Sequence, residues 1–431
     1  MKKASSAVMP SEENTPNLAA GCLRDLLAGP GLSFIQERLP EYLVRQRWFG
    51  AKSRTIASVR VLDWVELPGA PAAAAGEKDR GVILSGGSAP AAGVEAPAGP
   101  CAAIVFIQIA YAEGEPDVYQ LLLALTTGTA ADAVRANAPA SILCSLTTAS
   151  GPAILHDGSA REDVRQALLS LIEAGTRLRA SNPTLARPGS NHDSRASNLS
   201  SSPWLAGHAS AAFATARGSG PLPARTGSAE QSNTSILYGN KLILKLFRRI
   251  QPGENPDAEI GRFLTEVAHY PRIPAFLGDI RGSRAPDAPL SEQTTLATLQ
   301  GLIENEGDGW QHMLESLARY YEGAVTRPPA KDTGSPASFL SQIGGEPVRG
   351  NAREFAGSSL EAAALLGRRT AEMHLALATP TDNPAFTPEP FTAEDLAADA
   401  TRIAAQITRT LDALKRGLTT LPDELDRKSV V

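Results

Sequence analysis

In the run Leu242-Ile243-Leu244-Lys245-Leu246-Phe247 one lysine interrupts residues that are apolar on both faces of a strand. An ammonium in such a strand must be paired or neutralised, because burying it alone is costly. An anionic partner is therefore expected close by, and Glu259, on the first turns of a following helix, is the candidate. Upstream, Ser232, Asn233, Thr234 and Ser235 form a run of small hydroxyl and amide side chains at the mouth of a hairpin. Together these groups have the chemistry of a phosphate-holding site, with short donors around a positioned lysine that an acidic residue keeps in place.

The elements that must position them can be read from turn chemistry and period. Gly239-Asn240, between Ser235–Tyr238 and the strand from Lys241, suits a tight two-residue hairpin turn. Asn255 can cap a helix with Pro256 at its first position, and Ile260, Phe263, Leu264 and Val267 then recur at helical spacing. The segment 271–278 reads as a Pro-bounded connection and Thr294–Ile303 as a strand. Gly307-Asp308-Gly309-Trp310 opens a helix through Tyr320, with Asp308 open to two readings, a helix cap or a ligand contact. Farther on, Leu360–Leu377 is helical, and Thr392 with Asp395 makes a capping box for a long helix that carries Leu396, Ile403, Ile407, Leu411 and Leu414 in a core stripe.

The wording of the 230–264 stretch resembles the maltokinases, ATP-dependent kinases that make maltose 1-phosphate and belong with the aminoglycoside-phosphotransferase-like kinases. The resemblance extends to Arg45-Gln46-Arg47-Trp48-Phe49-Gly50-Ala51-Lys52, Asn255-Pro256-Asp257, Gly307-Asp308-Gly309-Trp310 and the 366–375 run LGRRTAEMHL, in the family's order, over about residues 33–421. It implies an α+β, protein-kinase-like fold with an N-terminal cap subdomain, a β-rich nucleotide lobe and an incomplete all-α C-lobe. It also implies ATP on Ser232, Asn233, Thr234, Ser235, Lys245 and Glu259, with a hinge at Gln300, Gly301, Leu302 and Ile303 for the adenine. Mg2+ is expected with the nucleotide, maltose as acceptor, and trehalose synthase or a second copy as protein partner. One part of the family pattern has no counterpart. The HGDxHLGQ run, with its catalytic aspartate, and the later DFEG run, with its magnesium aspartate, are not in the sequence, and the pattern would continue where the sequence ends. No catalytic or metal-binding residue is assigned, so the expectation is a chain that does not phosphorylate maltose. The alternative from another class is a non-catalytic nucleotide-binding or regulatory subunit.

Composition is consistent with this. The 431 residues leave room for two or three domains, with 42% hydrophobic and 20% charged residues. A net charge of -5 argues against a nucleic-acid footprint. No apolar run reaches membrane-spanning length, and no signal-peptide core follows Lys2 and Lys3. Three scattered cysteines fit a reducing cytoplasm. In order, residues 1–32 read as a flexible N-terminus and 33–180 as the cap with its sheet and helix; within it a helical pattern from Phe34 is broken at Pro40, strands run near Ile56–Leu67, Ala102–Tyr111 and Val118–Leu125, and a loop covers 68–100. Residues 181–228, rich in Ser, Ala, Gly, Pro and Arg without apolar period, read as a disordered insertion in which His192 and His208 are incidental. The nucleotide lobe is placed at 229–303 and the partial helical lobe at 304–431.

Overall fold

A computed structural model of the chain describes residues 22–29, 31–68, 102–149, 151–180, 203–227, 232–285, 288–325 and 350–417. The strand-like runs of the first half become β1 (Ile56–Glu66), β2 (Ala102–Tyr111), β3 (Asp117–Thr127), β4 (Ile142–Thr148) and β5 (Gly151–Asp157). They form an antiparallel sheet in the order β1-β2-β3-β5-β4. Its central strands are apolar on both sides because both sides are covered. Ala103, Val105, Ile107 and Leu123 meet α1 (Leu23–Ala28) and α2 (Gly31–Arg45), while Ala102, Ile104, Leu122 and Ala124 join the core that holds α4 (Glu162–Glu173). A further helix, α3 (Gly128–Asn137), follows β3.

Two expectations change here. The flexible N-terminus does not extend through residue 28, since Leu23, Leu26 and Leu27 of α1 are buried in the first core. Pro40 lies inside α2 without ending it.

The second sheet contains β6 (Arg177–Arg179), β7 (Trp204–Ala209), β8 (Ala224–Thr226), β9 (Asn233–Tyr238), β10 (Leu242–Phe247), β12 (Phe276–Ser283) and β13 (Thr294–Gly301). Their order is β6-β7-β12-β13-β10-β9-β8, all neighbours antiparallel. The hairpin turn falls at Gly239 as expected but takes three residues rather than two, Gly239, Asn240 and Lys241 lying between the paired Tyr238 and Leu242; Gly239 has φ 56, the left-handed region in which glycine is unstrained. Between β10 and β12 come β11 (Arg249–Ile250), which pairs with β3 of the first sheet, and α6 (Pro256–Arg262), which runs on into a π-helical turn over Phe263–Val267. A lysine-bearing strand, a helix and two antiparallel strands follow one another in this sheet, and the fold class is α+β.

The disordered insertion is corrected over 203–227, while 181–202 lies outside the described residues, as do residue 192 and the 69–100 stretch. β7 is an interior strand, α5 (Phe213–Arg217) follows it, and Leu205, Phe213, Leu222 and Ala224 are core residues. The poor apolar content has a packing reason. A Cβ on Gly207 would lie 2.2 Å from the Leu171 carbonyl oxygen of α4, so the strand tolerates no side chain where the helix crosses it. The Pro-bounded connection at 271–278 likewise ends early, because β12 begins at Phe276.

The two sheets are joined by buried polar groups. Arg248 is 1% exposed, and its Nη2 donates to Asp157 Oδ2 at 2.6 Å while its Nε donates to Thr234 Oγ1 at 2.8 Å. Its guanidinium also lies 4.8 Å from the Trp48 ring, and Trp48 and Phe49 both pack on Tyr119. Gln120 Nε2 donates to the carbonyls of Phe247 and Leu296, each at 2.6 Å. Asp157 thus caps the turn at Ser159 and holds Arg248.

Beyond the sheets, α7 (Gly309–Val325) and α8 (Gly350–Leu377) follow, and Leu365–Val431 forms a separate unit. Asp308 Oδ1 accepts from Gln311 N at 2.8 Å, which is the cap reading of that residue. The capping box forms as expected at α9 (Ala393–Gly417), where Thr392 N donates to Asp395 and Asp395 N to Thr392 Oγ1. Hydrogen bonds from Thr392 hold the Asp395 carboxyl below its ordinary value. The α9 stripe, expected as core, is open: Ile403, Ile407 and Leu411 are each about half exposed.

Candidate nucleotide site

Strand register places the site residues. Lys245 is paired directly with Ser235 on β9 and with Thr298 on β13; Thr298 is paired with Asp279 on β12, and Asp279 with His208 on β7. Directly opposed residues of an antiparallel pair project to the same face, so Ser235, Lys245, Thr298, Asp279 and His208 form one polar row across five strands. The opposite face of these strands carries Leu205, Ile236, Leu244, Leu246, Ile280 and Leu299, which close the core against α4.

This corrects the environment of Lys245. It is not enclosed on both faces: its side chain is 24% exposed, and only the neighbouring Leu244 and Leu246 are in the core. Its ion pair is also not the expected one. Nζ lies 3.2 Å from Asp257 Oδ2, so the carboxylate comes from Asp257 rather than Glu259. The cause is the helix start. Asn255 Oδ1 accepts from Asp257 N at 2.9 Å, with Pro256 at the first helical position as expected, and Asn255 N is tied to Thr295 Oγ1 on β13 at 3.0 Å. That anchors the first turn of α6 beside the sheet with Asp257 toward the lysine, and Glu259, two residues on, projects roughly 200° farther round the helix.

The expected phosphate-holding run divides in two. Ser235 and Asn233 stand on the face of Lys245, whereas Thr234, paired with Leu246, points to the other face and is engaged by Arg248. Ser232 precedes the strand and is exposed. Thr298, which no spacing singles out, flanks Lys245 from the other side. Both hydroxyls are buried, and neither Ser235 Oγ nor Thr298 Oγ1 has a hydrogen-bond partner among the described residues. Buried hydroxyls are ordinarily satisfied, and these two unpartnered ones stand on either side of the Lys245 ammonium.

At the far end of β13 the chain leaves the sheet where the hinge is expected. Gln300 is buried, Gly301 N donates to Ala275 O at 2.9 Å, and Leu302 N donates to Lys241 O at 2.7 Å. Those two amides are already used. The Ile303 amide meets no acceptor among the described residues, and Ile303 is 56% exposed.

Magnesium is not placed by these residues: among the described residues no three His, Cys, Asp or Glu side chains converge on a metal position. Elsewhere, burial depresses the His156 imidazole below its ordinary value, and its ring nitrogens meet Thr126 Oγ1 and the Asp157 carbonyl, each at 2.8 Å. Burial pushes the Cys144 thiol up to about 12.

No family model matches the chain. Among solved structures it is similar to a glucosamine kinase in complex with glucosamine, ADP and inorganic phosphate, at 15% identity and a TM-score of 0.39, over 90% of this chain and 58% of that one. A second glucosamine kinase structure, crystal form A, aligns at 15% identity with a TM-score of 0.40, over 95% of this chain and 61% of that one. The chain therefore spans about three fifths of the length of these kinases. At such scores no residue correspondence follows.

Proposed function

We propose that the sheet from β8 to β13 is the nucleotide-holding lobe of a sugar-kinase-like phosphotransferase, and that it takes the phosphates of ATP or ADP on Lys245, Ser235 and Thr298. The observation that carries this reading is the row itself, with an accessible ammonium between two buried and unpartnered hydroxyls. Asp257 holds the ammonium in place, as the helix carboxylate does in kinases. The Ile303 amide is the donor left for the adenine edge. Maltose is the acceptor favoured by the resemblance of the Arg45–Lys52, Asn255–Asp257 and 366–375 runs to maltokinases.

Phosphoryl transfer also needs a carboxylate to orient the acceptor hydroxyl and one to hold the metal, and the runs that bring them in maltokinases are not in these 431 residues. The proposal for this chain is thus nucleotide binding without maltose-dependent turnover. Calorimetric titration with ADP and ATP, followed by an ATP-consumption assay with maltose, tests both halves. Saturable binding with no maltose-dependent consumption is expected; no binding would refute the first half, and robust turnover the second.

A second reading, contact with another chain, is favoured by the half-exposed Ile403, Ile407 and Leu411 on α9. Self-association is its simplest form, and sedimentation over a range of concentrations tests it.

A further inference from the structure

At the edge of the second sheet remote from β8, on the same face as Lys245, register stacks two further rows beside Asp279 and His208. Arg281 opposes Ala206, which opposes Arg177; Ser283 opposes Trp204, which opposes Arg179. These rows floor a cavity of about 210 Å³, walled on one side by Gln293 from the approach to β13. Three strand spacings, roughly 14 Å, separate His208 from Lys245, so this cavity is not the place proposed for the nucleotide phosphates.

Its chemistry is cationic. Arg281 is held as a fork: Nε and Nη2 both donate to Asp279 Oδ2, at 2.7 and 2.5 Å. Asp279 is fully buried and is approached from two other sides by Arg262 Nη2 at 3.2 Å and His208 Nδ1 at 3.2 Å. One carboxylate thus organises three basic side chains, and of its other acidic neighbours Glu254 is engaged by Arg262. The described residues that line the cavity include Arg281, Arg177 and His208 and no carboxylate. Planar guanidinium forks suit the oxygens of a phosphate monoester. Trp204 adds a flat apolar wall, steadied by Arg179 at 4.4 Å from its ring, and Ser283 and Gln293 add neutral hydrogen-bonding groups.

We propose that this corner of β6, β7 and β12 is a second ligand site, for a small phosphate monoester whose polyol or sugar ring lies along Trp204. Arg281 and Arg177 grip the phosphate, His208 supplies a further donor, and Ser283 and Gln293 meet ring hydroxyls. The site does not depend on the nucleotide reading.

The test is titration of the full chain by calorimetry and tryptophan fluorescence, with glucose 6-phosphate and inorganic phosphate as probes and glucose as the neutral comparison. The wild type is expected to bind glucose 6-phosphate saturably and glucose not at all. Arg177→Gln, at an exposed position on the edge strand β6, should weaken the ester roughly tenfold, the scale of one charge-assisted contact, and His208→Gln should weaken it as well. Lys245→Met should leave that affinity unchanged. No saturable binding of either phosphate probe, equal affinity in the wild type and both edge variants, or loss of binding in Lys245→Met would each overturn the assignment.

Discussion

Arg248 of the second sheet and Asp157 of the first meet in a fully enclosed ion pair, Nη2 to Oδ2 at 2.6 Å, and this contact fixes the sheet that carries Lys245 against its neighbour. Removing one partner of such a pair strands the other charge and costs about 3–5 kcal/mol. Asp157→Ala should therefore lower the melting temperature by roughly 10 °C, at about 2–4 °C per kcal/mol for a domain of this size. A melting curve followed by circular dichroism checks it, and an unchanged midpoint would show that Arg248 finds other partners.

Adjacent hydroxyls on β9 should behave oppositely. Thr234→Val removes an acceptor of Arg248 and should lower stability by about 1–2 kcal/mol with nucleotide affinity unchanged. Ser235→Ala should leave stability nearly unchanged and weaken ADP binding severalfold. Chemical denaturation and calorimetry on the two variants separate the roles, and a reversed pattern would move the site to the other face of the sheet.

Thr298→Val offers a sharper contrast. The hydroxyl is buried without a partner among the described residues, and leaving such a group unsatisfied costs about 1–3 kcal/mol. The isosteric valine should raise the melting temperature and weaken ADP binding at once. A variant that lost stability would mean that the hydroxyl has a structural partner.

The His156 imidazole is held below its ordinary pKa of 6.5, chiefly by burial. In the unfolded chain it titrates near 6.5, so below that pH the unfolded state binds the proton that the folded state resists. The stability it contributes is present above pH 6.5 and is lost as pH falls through that value toward the lower folded pKa. Melting curves at pH 7.5 and 5.5 should show a drop that His156→Gln reduces. Equal drops in both proteins would assign the acid sensitivity to other groups.

Much of this arrangement was legible in the sequence, and what was not has physical reasons. The place of the Gly239 turn, the Asn255–Pro256 helix start and the Thr392–Asp395 box follow from local chemistry, although the turn is one residue longer than its sequence suggests. Register is not local. That Thr298 stands beside Lys245 depends on how strands far apart in sequence align, whereas Thr234 turns away because the hairpin connection has three residues, a two-residue turn being the register that would have set it opposite Lys245. The choice of Asp257 over Glu259 was decided by the tether from Asn255 to Thr295, which no helical period reveals. Around β7 the composition misled because Gly207 is small for a reason, its backbone lying against Leu171.

The most direct test of the nucleotide site is the ADP affinity of Lys245→Met, measured by calorimetry beside the wild type. Methionine keeps the length of the lysine stem, and the ion pair it removes is partly exposed, so the fold and its melting temperature should be largely kept. A lysine on phosphate contributes a charge-assisted contact that methionine cannot replace, and binding should fall by at least roughly tenfold. Equal affinity in the two proteins would contradict a phosphate site at Lys245.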